Sequence, residues 1–268
     1  MLAFLYQTVP GRFLLKLLVR PRLSVLCGRF LDSSFSRFLI PAFIKRNHID
    51  LSEYEKKSYR SFNDCFSRQI RPEMRPVDAD ASHLIAPCDG LLSAYRIREG
   101  SVIPVKHSAY TLEALLKDAG LAGEFDGGDC LVFRLCVQHY HRYIWAADGV
   151  RGENIRIPGV LHTVQPIALR NRPVFVENTR EYTVLESSCF GKMVQMEVGA
   201  MLVGRIANRP GSGPVRRGEE KGCFEYGGST VILLLKAGAA RIRQEYFDAA
   251  AQDREVPVLQ GRRIDEDA

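Results

Sequence analysis

The chain predicts an α+β protein: N-terminal amphipathic helices followed by a β-rich body of barrel or sandwich type. Three features lead there. Residues 1–46 mix apolar residues with eight basic ones (Arg12, Lys16, Arg20, Arg22, Arg29, Arg37, Lys45, Arg46) and a single acid, Asp32. Leu131 to Val137 alternates, with Leu131, Phe133, Leu135 and Val137 on one face, the period of a strand. Val231-Ile232-Leu233-Leu234-Leu235 is an unbroken apolar run, as suits a strand covered on both faces.

The leading segment reads as short helices. Arg12, Lys16 and Arg20 lie at i, i+4 and i+8, a cationic stripe, with Phe13, Leu14, Leu15, Leu17, Leu18 and Val19 on the other faces. Pro10, Pro21 and Pro41 divide it into pieces. Such a segment either packs on the body as a collar or lies in the plane of an anionic membrane, its Arg and Lys on lipid phosphates. The one-sided charge favours the membrane. Residues 51–76 read as helix and connector, so we divide the chain into a helical, membrane-associating segment at 1–80 and a β-rich body at 81–268. The body predicts strands at 91–98, 101–106, 131–137, 153–157, 160–169, 181–187, 192–206 and 229–236, with a short helix over 111–117 ended by Gly120. From Arg241 the expectation is a short helix and then a polar tail.

Composition narrows the function. At 268 residues, with 46% hydrophobic and 25% charged residues, the chain can bury a sizeable core. The leading segment accounts for the whole formal net charge of +6, leaving the body near neutral, which argues against nucleic acid as a partner. Seven cysteines without a C-x-x-C pair argue against a disulfide framework or a bound metal, and for a reducing cytosol. No apolar run approaches the roughly 18 residues needed to cross a bilayer. Leu2 to Tyr6 is apolar, but Pro10, Arg12 and Lys16 interrupt it too soon for a signal peptide. The expected location is peripheral, on the cytoplasmic face of the cell membrane.

Three elements carry candidate chemistry. Ala86-Pro87-Cys88-Asp89-Gly90 is a turn signature that leaves Asp89 at a strand start. In His139-Tyr140-His141-Arg142-Tyr143, both histidines face the same side as Leu131 to Val137 if that strand continues. Gly227-Gly228-Ser229-Thr230 places a hydroxyl beside a peptide carbonyl that nothing bulky shields, which suits attack by the chain on itself; a plain turn into a core strand is the structural alternative. Asp, His and Ser are the parts of a triad, in which the carboxylate orients the imidazole and the imidazole takes the hydroxyl proton.

These segments resemble the phosphatidylserine decarboxylases, pyruvoyl-dependent enzymes that make phosphatidylethanolamine. Ser61-Phe62-Asn63-Asp64-Cys65-Phe66-Ser67-Arg68 with Arg75-Pro76-Val77-Asp78 resembles the family's entry to its body, and Ala86 to Gly90 resembles its (S/A)PxDG element. Tyr140-His141-Arg142 resembles its YHR element, and Phe190-Gly191 with Val198 to Ile206 its FG…VGAxxVGxI stretch. Lys221 to Val231 resembles the processing site, written here GGST where LGST is usual. Five motifs stand in the family's order. One departs: many members carry a second histidine three residues after that of YHR, and this chain has Ile144.

The resemblance implies self-cleavage between Gly228 and Ser229, with Asp89, His141 and Ser229 as catalytic residues and His139 or His162 as alternative sources of the imidazole. Ser229 then becomes a covalent pyruvoyl cofactor on chain 229–268, held by chain 1–228, and phosphatidylserine loses carbon dioxide through a Schiff base to it. The partners implied are phosphatidylserine in an anionic membrane and the two cleavage chains with each other; a homodimer stays open. Two rivals remain at this point: an uncleaved Ser-His-Asp lipid hydrolase, disfavoured by the lack of a G-x-S-x-G elbow at Ser229, and a non-catalytic β module that binds anionic membranes.

Overall fold

The computed structural model describes residues 2–56, 58–105, 108–201, 205–225 and 229–267. Four α-helices open the chain, at Leu2–Gln7 (α1), Val9–Leu18 (α2), Pro21–Asp32 (α3) and Ile40–Arg46 (α4), with a 3-10 turn at Ser34–Leu39. The prolines that divide this segment also start its helices: each lies in the first turn of α2, α3 or α4, where a missing N–H costs nothing. Thr8 caps α2 by accepting from Gly11 N at 3.1 Å. Leu5, Tyr6, Leu15 and Val19 join the main core, so the inner sides of α1 and α2 pack on the body. The outer side keeps apolar residues exposed beside its basic ones: Phe13 of α2 is 73% exposed, and Phe35 in the 3-10 turn 81%. Among the described residues of 51–76 there are one short helix, Phe62–Phe66 (α5), capped by Ser61, and two 3-10 turns.

The body has fourteen strands among the described residues: Gly90–Arg96 (β1), Val102–Val105 (β2), Ser108–Thr111 (β3), Asp129–Leu135 (β4), Arg142–Ile144 (β5), Gly149–Arg151 (β6), Ile155–Ile157 (β7), Arg180–Ser187 (β8), Gly191–Val198 (β9), Ile206–Asn208 (β10), Gly213–Val215 (β11), Glu220–Phe224 (β12), Ser229–Leu235 (β13) and Val256–Val258 (β14). Nine form one antiparallel sheet, in the order β11-β6-β8-β9-β13-β4-β1-β14 with β7 also on β8. A second sheet, β10-β12-β5, lies against one face of it, tied there by Gln195 Nε2 donating to the Ile144 carbonyl at 3.0 Å. The α+β class with a sandwich-like body therefore holds. Every residue of β13 is buried, because β13 is central in its sheet and both of its faces are covered.

Four expectations need correction. The strand predicted over 131–137 ends at Leu135, and the chain turns back, with His139 N donating to the Cys136 carbonyl at 3.0 Å. The histidines therefore do not continue its core face. Residues 160–169 hold a single bridge, at Val160, and a short helix that Pro166 opens; the Gln165-Pro166 step ends any ladder there. The long strand predicted at 192–206 stops at Val198, before Gly199, and pairing resumes only at Ile206, with 202–204 outside the described residues. The tail after the C-terminal helix Gln244–Ala251 is not simply solvated. Val256–Val258 pairs with β1 as an edge strand that accommodates Pro257, and Gln260, Ile264 and Asp265 are buried.

Candidate active site

Ser229 opens β13 opposite Leu135 of β4. It is 0% exposed, and its Oγ has no hydrogen-bond partner among the described residues. A buried hydroxyl left unpaired costs roughly 1–3 kcal/mol, so its retention calls for a use. Gly228, the other half of the predicted cleavage site, lies outside the described residues.

His141 is 0% exposed and sits where β4, after its turn, leads into β5. Its main-chain carbonyl accepts from Phe224 N at 2.9 Å, which ties it to the end of β12, five residues before Ser229. Its Nδ1 lies 2.9 Å from the His139 carbonyl, which only accepts, so Nδ1 carries the proton and Nε2 the lone pair. Nε2 is buried and has no partner among the described residues. Burial, with Arg68 and His139 adding, holds this imidazole well below its usual range. The ring, its centre 4.1 Å from that of Phe66 on α5 and tilted 38° to it, is thus a neutral base at physiological pH with its basic nitrogen unpartnered among the described residues.

Asp89 is not the group that sets this tautomer. Its carboxylate takes a two-pronged hydrogen bond from Arg75, Nε to Oδ1 at 2.8 Å and Nη2 to Oδ2 at 2.7 Å, and accepts from Gln260 N at 2.9 Å. Gln260 Nε2 in turn donates to the Pro87 carbonyl at 3.3 Å and the Arg142 carbonyl at 2.8 Å. Asp89 therefore braces the turn before β1 against the C-terminal tail and β5. The alternative histidines are otherwise engaged. His139 Nδ1 accepts from Cys136 N at 3.1 Å. His162 meets Tyr6 Oη at 3.2 Å and Glu177 Oε2 at 3.2 Å, linking α1 to the body. Ile144, at the position of the family's second histidine, donates its backbone N–H to the Pro87 carbonyl at 2.8 Å.

Sequence reasoning did not single out Gln260 or Glu197, and it named Arg75 and Lys221 only inside motifs, with no role. Glu197 alternates with apolar residues in β9 and looks solvent-facing; only the second sheet, packed over that face, buries it. Lys221 and Glu197 form an ion pair with both side chains at 0% exposure.

Ser229 Oγ is buried at the head of a central strand, next to its own preceding peptide bond in the chain, and no G-x-S-x-G elbow surrounds it, which argues against the hydrolase. Fold and site thus fit a class, that of enzymes that process their own chain at an internal serine. The comparisons supply the family. The phosphatidylserine decarboxylase family profile matches residues 62–259. Phosphatidylserine decarboxylase proenzyme 2 of Clostridium acetobutylicum is 42% identical over 266 residues, covering 99% of this chain and 91% of that protein. Phosphatidylserine decarboxylase proenzymes of Clostridium perfringens and Ruminiclostridium cellulolyticum are each 38% identical, over 97% of this chain and about 90% of theirs. The chain belongs to the phosphatidylserine decarboxylase family. It is a proenzyme of pyruvoyl-dependent carboxy-lyase type, its cofactor formed from a serine of the chain.

Proposed function

We propose that the chain matures by attack of Ser229 Oγ on the Gly228 carbonyl carbon, with His141 Nε2 taking the hydroxyl proton and returning it to the departing amide nitrogen. An ester through Ser229 Oγ replaces the peptide bond. Loss of the Ser229 α-proton and cleavage of its Cβ–O bond release Gly228 as a carboxylate, and hydrolysis of the remaining enamine expels ammonia. The products are chains 1–228 and 229–268, the second opened by a ketone.

The residues around Ser229 fit that cofactor. Pairing of β13 with β4 and β9 keeps residue 229 in place once the covalent link is cut. A pyruvoyl group there supplies the electron sink for loss of carbon dioxide from the serine headgroup of phosphatidylserine. His141, neutral and with Nε2 available, moves protons at that position, while Arg75, Asp89 and Gln260 hold the turn before β1 and the start of β5 in register. No helix among the described residues is long and apolar enough to cross a membrane. The 1–80 segment docks instead in the plane of an anionic membrane, placing exposed Phe13, Leu26, Phe35 and Phe38 at the headgroup boundary and Arg12, Lys16 and Arg20 on lipid phosphates.

The carrying observation is the unpartnered, fully buried Ser229 hydroxyl at the head of a central strand. Intact mass of the purified protein under denaturing conditions tests the reading. The expected result is a 229–268 fragment lighter by one ammonia than its simple hydrolysis product. A single uncut chain of 268 residues overturns it.

A further inference from the structure

The strand that ends before the processing link and the strand that begins after it belong to different sheets. β12 pairs with β10 and β5, whereas β13 pairs with β9 and β4. Among the described residues, no shared backbone ladder therefore sets the offset between Phe224 and Ser229. Side chains between the sheets must do so. The register places Glu197 of β9 opposite Val231, hence on the same face of the sheet as Ser229, in the diagonal position beside it. Lys221 reaches this carboxylate from β12.

Several features are built around that contact. The β12–β5 register jumps from Glu220–Ile144 to Gly222–Tyr143, so Lys221 is the extra residue of a bulge, a device that re-aims a side chain. Gly222 lets the bulged strand approach β10, since a Cβ there would stand 2.5 Å from the Ala207 carbonyl oxygen. Lys221 Nζ pairs with Glu197 Oε2 and lies 5.3 Å from the centre of the Trp145 ring. Asn208 Nδ2 also donates to Glu197 Oε2, at 2.8 Å, and to Glu181 Oε1, at 2.8 Å. Glu197 Oε1 has no partner among the described residues. Burying two ions is costly, and a well-packed apolar pair is often as stable or more so. What an apolar pair lacks is direction: it can slide, whereas an ion pair oriented by Asn208 selects one offset.

We propose that the Lys221–Glu197 pair is a clamp that positions the processing link, fixing β12 against β9 and so holding Ser229 where its hydroxyl can meet the carbonyl before it. Both residues are positioning residues; proton transfer stays with His141. After cleavage the same clamp holds β12, which leads to the new end of chain 1–228, against β9. The inference rests on the reading of Ser229 as the processed residue.

The test separates positioning from stability. Glu197→Leu with Lys221→Met replaces the pair by apolar side chains, and Glu197→Gln removes the charge while keeping the shape. Self-cleavage half-times are read by intact mass, and Tm is measured on each variant in a Ser229→Ala background so that every chain is uncut. The double variant should keep the Tm of the Ser229→Ala chain yet cleave on the order of 100-fold more slowly, the scale expected for a misplacement of about 1 Å. Glu197→Gln should also cleave slowly, and Lys221→Arg, which keeps the charge, should recover much of the rate. Cleavage of the double variant or of folded Glu197→Gln at the wild-type rate overturns the clamp. So does slowing that merely tracks Tm across the series. If the double variant fails to fold, Glu197→Gln and Lys221→Arg decide alone. A wild-type chain that never yields the 229–268 fragment would instead defeat the processing reading itself, and the two failures are thus distinct.

Discussion

Replacing Asp89 by Asn isolates what its carboxylate does. The side chain keeps its shape but loses its charge and one of its acceptor oxygens. Arg75, with its side chain only 11% exposed, would lose a bidentate partner and retain Glu53 at 3.7 Å as its remaining ion-pair partner. Stranding one member of a buried pair costs 3–5 kcal/mol, and Asn can still accept one of the hydrogen bonds, so about 3 kcal/mol is the working figure. For a chain of this size that lowers Tm by about 6–12 °C. Thermal unfolding of Asp89→Asn in a Ser229→Ala background, so that only uncut chain is present, measures it. A cycle with Arg75→Met should return a coupling of about 2–3 kcal/mol. Self-cleavage with Ser229 restored should slow, because the turn before β1 and the start of β5 lose their brace. The His141 tautomer should not change, since the His139 carbonyl sets it; nitrogen NMR of the imidazole reads this directly. A Tm within about 1 °C of the parent, where the 3 kcal/mol estimate requires several degrees, would refute the brace. A switch of His141 to the Nε2–H form would show that Asp89 orients it after all.

Other outcomes follow from the same geometry. Ser229→Ala should leave a single uncut chain without decarboxylase activity, read by intact mass and by carbon dioxide release; residual cleavage between 228 and 229 would remove the serine from that step. Reversing charge at Arg12, Lys16 and Arg20 should weaken cosedimentation with phosphatidylserine vesicles by two orders of magnitude or more, at about 1 kcal/mol for each basic residue lost from an anionic surface; unchanged binding would dispose of the membrane role of this cationic stripe. Stability should fall on the acid side. His162 is pushed down to about 4, chiefly by burial, and His139 and His141 also lie below the usual value. As pH drops below about 6.5 the unfolded chain takes up these protons first, so stability is progressively lost, for His162 down to about pH 4. His162→Gln should flatten part of this decline in acid unfolding curves, and an identical pH dependence would show that His162 does not contribute.

The sequence by itself determined the class and the family. Its leading basic segment, the alternation of 131–137 and the apolar run after Ser229 are local patterns, and burial or solvation imposes them residue by residue. The motifs around Asp89, His141 and Ser229 were legible for the same reason, since each is a contiguous string. What joins them was not. Only the tertiary structure decided that Asp89 binds Arg75 and the tail at Gln260, and that the His139 carbonyl orients His141. It alone placed Glu197 and Lys221 in the same buried contact. A turn at Cys136 undid the continued strand that would have aligned the histidines. Val256–Val258 became an edge strand because β1 was there to pair with. Glu197 reads as a surface residue by period, and becomes a core ion because a second sheet covers its face. Such roles depend on which surfaces meet, and that is fixed by the packing of segments distant in sequence rather than by any one of them.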